Sequence, residues 1–113
     1  IDSYAFSDCY SLASIPFPNS VLSLSCNTFS NCHSLAGITI ANGVTRIGSD
    51  AFNNCYGMAI YDFTSHTSVP TLSNVNAFNN IPSDCVIKVP TSLYDQWKAA
   101  TNWSTYLNYM VSV

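Results

Sequence analysis

A cysteine followed directly by a histidine, Cys32–His33 in the stretch FSNCHSL, is the pair in this sequence best suited to chemistry. An imidazole beside a thiol favours the nucleophilic thiolate. Cys with His is also a ligand combination that zinc accepts. The remaining titratable groups give the pair little help. His66 is the only other histidine, glutamate is absent, and the aspartates Asp2, Asp8, Asp50, Asp62, Asp84 and Asp95 are scattered. A Cys–His–Asp site would have to be assembled from Cys32, His33 and a neighbouring aspartate. No CxxC or HxxxH spacing offers a zinc site, and no cluster of oxygen ligands answers the needs of calcium.

The words around the pair recur. AFSDCYSL begins at Ala5, TFSNCHSL at Thr28 and AFNNCYGM at Ala51. Phe6, Phe29 and Phe52 step by 23 residues, and so do Cys9, Cys32 and Cys55. The same step joins Leu12, Leu35 and Met58; Ile15, Ile38 and Tyr61; Phe17, Ile40 and Phe63; and Ile1, Leu24 and Ile47. Apolar columns held at one period mark a repeat architecture. Cys32 is therefore one rung of a core column, a small buried hydrophobe. His33 shares its column with Tyr10 and Tyr56, so the base of a thiol–imidazole pair is not repeated with the thiol. The expected ladder is Phe6, Phe29, Phe52 and Phe78 with Cys9, Cys32 and Cys55, and the expectation is a protein that is not an enzyme. Cys26 and Cys85 fall outside the column, and whether they are bridged is open; with five cysteines at least one is unpaired within the chain.

One unit, Leu35 to Phe52, reads LAGITIANGVTRIGSDAF. Ile38 and Ile40 alternate with Gly37 and Thr39 as in a short strand with one buried face. Asn42–Gly43 is a turn signal, Val44 and Ile47 resume apolar contacts, and Ala51, Phe52 and Cys55 lead to the next strand. Such a unit buries its apolar face only by stacking on neighbours. Strands of successive coils would pair in parallel about 4.8 Å apart. From Phe52 to Phe78 the step grows to 26 residues, the excess falling in Thr64 to Thr71. Val86 to Val89 supplies a last strand with Lys88 outward. Pro16 and Pro18 sit in the strand region of the first coil, where missing donors weaken pairing.

After Pro90 the pattern becomes helical. Ser92 is the expected N-cap, with Asp95 three residues on. Leu93, Trp97 and Ala100, then Trp103, Tyr106, Leu107 and Met110, recur at helical intervals. An exposed core end needs such a lid. The fold class is thus an α/β-type repeat solenoid: coils of 23 residues with short parallel strands over residues 1–90, about 3.5–4 in number and the first truncated, closed by a helical cap over 91–113 as one structural domain. Ile1 falls in mid-repeat, which reads as a piece of a longer chain whose open first coil could self-associate.

The unit AFxxCxxLxxIxI followed by a turn and VxxIGxx resembles the BspA-like leucine-rich repeats of bacterial and protist surface proteins, most clearly in CHSLAGITIANGVTRIGSDAFNNC. The tail KVPTSLYDQWKAATNWSTY is similar to the caps that end such arrays. The resemblance implies an extracellular or cell-surface module for adhesion or recognition, binding a host or neighbouring-cell protein or a glycan, with no catalytic residues. It also admits a structural spacer or cap of a larger surface or phage-encoded protein, and leaves a cysteine-dependent enzyme as the minor alternative.

Composition narrows the partners. The net charge is −3 and the only Lys and Arg are Arg46, Lys88 and Lys98, so the footprint of a nucleic-acid binder is missing. No apolar run approaches the ~20 residues of a membrane span, and no cofactor is expected. Outward strand positions run Ser14, Gly37, Ile60 and Pro16, Thr39, Asp62, Lys88. The expected binding residues are Ile60, Asp62, Lys88 and Thr39 on that face, with His66 standing beside it in the 64–71 insertion.

Overall fold

In the computed structural model, which describes residues 1–113, the repeated columns become ladders. The strands are β1 (Ser23–Leu24), β2 (Gly37–Thr39), β3 (Arg46–Ile47), β4 (Ile60–Asp62), β5 (Thr71–Leu72), β6 (Val86–Val89) and β7 (Met110–Ser112); a 3-10 turn at Thr91–Leu93 leads into α1 (Tyr94–Ala99), and a second 3-10 segment spans Trp103–Tyr109. Two parallel sheets result, one ordered β1-β3-β5 and one β2-β4-β6-β7. In the larger sheet Gly37 pairs with Ile60 and Ile60 with Val86, while Thr39 pairs with Asp62 and Asp62 with Lys88. The period-two alternation explains the faces: Ile38, Tyr61 and Ile87 are buried between outward neighbours.

Between the sheets runs the aromatic spine. Phe6, Phe29, Phe52 and Phe78 stack with nearly parallel rings, centroids 5.2, 5.4 and 5.5 Å apart. Beside them the Cys32 thiol donates to the Phe6 carbonyl at 3.1 Å and the Cys55 thiol to Phe29 at 3.2 Å. The cysteine column therefore contributes more than bulk, since each thiol satisfies a carbonyl of the preceding coil in a region closed to water.

The third side of each coil bends through left-handed residues. Asp8, Asn31, Asn54 and Asn80 have φ of 59°, 62°, 61° and 63°. Tyr4, Asn27 and Asp50 form a second such column at 62°, 58° and 55°. Asn and Asp adopt this conformation more readily than other residues bearing a Cβ. The bends are tied from coil to coil by backbone bonds, Asn27 to Ser49, Phe29 to Ala51 and Asn31 to Asn53, at 2.8–2.9 Å. The side chains add their own ladder. Asn31 donates to Asp8 at 2.8 Å, Asn54 to Asn31 at 2.9 Å and Asn80 to Asn54 at 2.6 Å.

The expected loss of pairing at the first coil's prolines holds, and two other local expectations change. No strand forms over Pro16 to Pro18, where the adjoining link is Ala36 N–H to the Ala13 carbonyl; proline offers no donor, and β2 is left as the sheet edge. Ser92 makes no capping bond, because Pro90 starts a 3-10 turn that places Ser92 within it and Leu93 at the helix entry. Met110 does not extend a helix. The chain turns extended there and Met110–Ser112 pairs in parallel with Ile87–Val89.

The C-terminal segment lies on the last coil through its aromatic residues. Trp97 and Trp103 are fully buried, meeting Phe63 at 5.3 and 5.4 Å. Trp103 Nε1 donates to the Pro70 carbonyl at 2.8 Å and Asn102 Nδ2 to Leu72 at 2.7 Å. Tyr106 Oη donates to the Val75 carbonyl and accepts the Phe78 amide at 3.3 Å. Burying each large aromatic contributes about 1.5–3 kcal/mol, so these anchors bind the segment to the repeat.

Candidate functional site

The strand face carries a shallow, open depression. Ser14, Pro16, Gly37, Thr39, Ile60, Asp62 and Lys88 line this depression of about 500 Å³, floored by Ile15, Phe17 and Ile38. Strand alternation puts them there, because the partners of the buried residues must face outward. Thr39, Asp62 and Lys88 sit on consecutive rungs. Ile60 lies on the neighbouring column, paired with Gly37 on one side and Val86 on the other.

The two charges on this face do not neutralise one another. Asp62 Oδ1 accepts the Thr64 amide at 2.9 Å and the Thr64 hydroxyl at 2.6 Å, which closes the turn after β4. The one ion pair in the chain joins Lys98 to Asp95. Lys88 thus keeps its donors for another molecule, and Asp62 keeps Oδ2.

His66 is not part of this face. It is only 4% exposed, and none of residues 64–71 lines the hollow. The insertion folds inward because Thr67 N–H bonds Asn42 Oδ1 at 3.0 Å, while the imidazole packs edge-on against Phe63 and Trp97. Its Nε2 lies 3.1 Å from the Val44 carbonyl, and burial lowers its pKa below the usual 6.5. His66 therefore does not stand beside the strand face, as its place in the insertion suggests, but inside the core. An insertion that breaks the 23-residue register carries no column to show which way its side chains turn.

The Cys32–His33 pair comes apart in the fold. Cys32 is buried and its thiol points at Phe6 O, whereas His33 is exposed. Burial pushes the Cys32 thiol up to about 11 and the Cys55 thiol up to about 12. Both remain protonated near neutral pH, where a thiol nucleophile must ionise. Cys26 and Cys85 are not bridged; all five cysteines are free, with Cys26 exposed and Cys85 buried. No group of three His, Cys, Asp or Glu side chains is placed to hold a metal.

His33 does join a second surface feature. Its ring stands between Tyr10 and Tyr56 with centroids at 4.9 and 5.2 Å, both pairs tilted by about 40°. The tyrosines are 54% and 56% exposed, so this stripe faces solvent beside the asparagine ladder. The column spacing already showed these residues together. What the spacing could not show was their outward direction.

Comparison with known families matches the BspA type Leucine rich repeat region, in six copies over residues 1–103. The chain belongs to this family. The match continues past Pro90 into the helical segment. BspA-type repeats are protein-interaction modules, generally non-catalytic and typically found on surfaces or outside the cell. No helix here is long and apolar enough to cross a membrane. No curated protein matches the chain.

Proposed function

We propose that this BspA-type array is a secreted or cell-surface recognition module that binds an extracellular protein or glycan through its strand face. Thr39, Ile60, Asp62 and Lys88 form the contact, with Ile60 as the apolar anchor, Lys88 as donor and Asp62 Oδ2 as acceptor. In this reading residues 1–90 are a solenoid and 91–113 its cap. The observation that carries it is the gathering of Lys88, which makes no ion pair, with Ile60, Thr39 and Asp62 on one strand face. A shallow neutral face with two weakly opposed charges suits a protein or glycan surface better than a small charged metabolite. Catalysis and cofactor binding have no part in this reading.

The open depression and the internal engagement of Asp62 favour a second reading, a spacer that holds another domain away from its support. A binding screen of the whole chain against extracellular matrix proteins and a glycan array separates the two. Hits are remeasured with Ile60→Ala and Lys88→Ala, each checked for an unchanged melting temperature. A saturable hit lost in both variants supports recognition by this face. Folded protein that binds nothing in either panel moves the assignment to the spacer.

A further inference from the structure

Two buried polar atoms in the region where the 64–71 insertion meets the C-terminal segment have no hydrogen-bond partner: His66 Nδ1 and Trp97 Nε1. Both residues are almost fully enclosed, and their rings meet edge-on with centroids 5.9 Å apart. An indole nitrogen is only a donor. The Val44 carbonyl opposite Nε2 is only an acceptor, so Nε2 carries the proton of the neutral imidazole and Nδ1 is left as an acceptor. The unpaired groups therefore match in kind, a donor on α1 and an acceptor on the insertion.

Protonation removes that match. Nδ1 becomes a second donor beside the indole N–H, and a full charge enters a site walled by Phe63 and Trp97. No carboxylate offsets it. The charged groups on the packed elements are Asp62 on β4, Arg46 on β3, Lys88 on β6, and Asp95 and Lys98 on α1, where Tyr94 is the other titratable group; Arg46 bonds the Ser73 hydroxyl. Asp62 is held by Thr64, and Asp95 pairs with Lys98 at the surface. The carbonyls of Val44 and Phe63 favour the charged ring, but burial outweighs them and the pKa falls below the usual 6.5.

We propose that His66 is a proton-operated latch: neutral, it seats the 64–71 insertion against the C-terminal segment, and protonated, it releases both. The insertion also supplies the Pro70 carbonyl that holds Trp103, so movement at His66 reaches the second tryptophan through the same short loop. The bend at residues 27–35 bonds to Ser49, Ala51 and Asn53, outside this linkage, and stays closed. Proton linkage sets the size of the effect. For one group, opening rises at most tenfold for each pH unit below about 6.5, and levels off below the folded-state pKa.

Hydrogen–deuterium exchange on the whole chain at pH 7.5 and 5.0, corrected for intrinsic exchange rates, tests the latch. Protection over residues 64–73 and 94–106 is expected to fall at least fivefold relative to residues 27–35. His66→Gln keeps a donor for Val44 without titrating, and His66→Phe keeps the packing; both should abolish the pH dependence. His33→Gln, which removes the only other histidine, should leave it intact. Equal protection at the two pH values in wild type, or a pH dependence that survives in whichever His66 variant folds, overturns the proposal. Should neither variant fold, the wild-type imidazole resonances decide. Protonation of His66 with both segments still protected refutes the latch, and protonation coincident with their exchange supports it.

Discussion

Replacing Asn54 by glycine should destabilise the protein less than replacing it by alanine, the reverse of the order expected at an ordinary helix or strand position. Asn54 sits at φ 61°, in the middle of the side-chain ladder, donating to Asn31 and accepting from Asn80. Either substitution removes both bonds, a loss of about 0.5–1.5 kcal/mol each. Alanine must also hold a left-handed backbone, at about 1–2 kcal/mol. Glycine avoids that strain but gives up about 0.5–1 kcal/mol of chain entropy. Alanine is thus expected to cost roughly 2–5 kcal/mol and glycine about 0.5–1 kcal/mol less. Asn54→Asp keeps the conformation and the acceptor and loses only the donor, so it should be the mildest of the three. Urea unfolding followed by fluorescence of the buried Trp97 and Trp103 and by far-UV circular dichroism measures all three variants. Alanine equal to or better than glycine would refute the claim that the bend conformation selects asparagine.

Three further outcomes follow from the same packing. Trp103→Phe should cost about 1–2 kcal/mol more than Trp97→Phe in urea unfolding, since only Trp103 gives up a made hydrogen bond, to Pro70, and strands its acceptor. Thiol titration of folded protein should label Cys26 quickly and leave Cys32, Cys55 and Cys85 unreacted until denaturant is added. Alkaline stability should fall as well. The buried thiols have folded-state pKa values raised from 9.0 to about 11 for Cys32 and about 12 for Cys55 and Cys85. The unfolded chain releases these protons first, so the stabilisation is complete below pH 9 and is lost as pH rises towards 11–12. The slope is at most about 1.4 kcal/mol per pH unit for each thiol, and Cys55→Val should reduce it in pH-dependent unfolding.

Columns at constant step are legible without coordinates because stacking demands identity of environment. That is why the phenylalanine spine, the thiol rungs and the outward row Thr39, Asp62 and Lys88 could be placed from spacing alone. The hydrogen-bonded asparagines were present in the same words, SDC, SNC and NNC. Their ladder has no signature in the apolar periodicity, because it depends on left-handed geometry. His66 was misplaced where the insertion breaks the register, and its burial is decided by Asn42 and Trp97, residues remote in the chain. Met110 followed helical spacing from Trp103, but pairing with β6 outweighed a preference spread over so few residues. Ser92 had a capping sequence whose geometry the preceding proline pre-empted.

The central claim is that recognition belongs to the strand face. The direct measurement is the dissociation constant of one confirmed protein or glycan ligand for two triple variants of equal thermal stability. One carries Thr39→Ala, Ile60→Ala and Lys88→Ala; the other carries Tyr10→Ser, His33→Ser and Tyr56→Ser on the exposed aromatic stripe. The account predicts at least a tenfold loss of affinity for the first and a change within threefold for the second. Unchanged affinity in the first variant, with the loss appearing in the second, would contradict it and assign binding to the aromatic stripe.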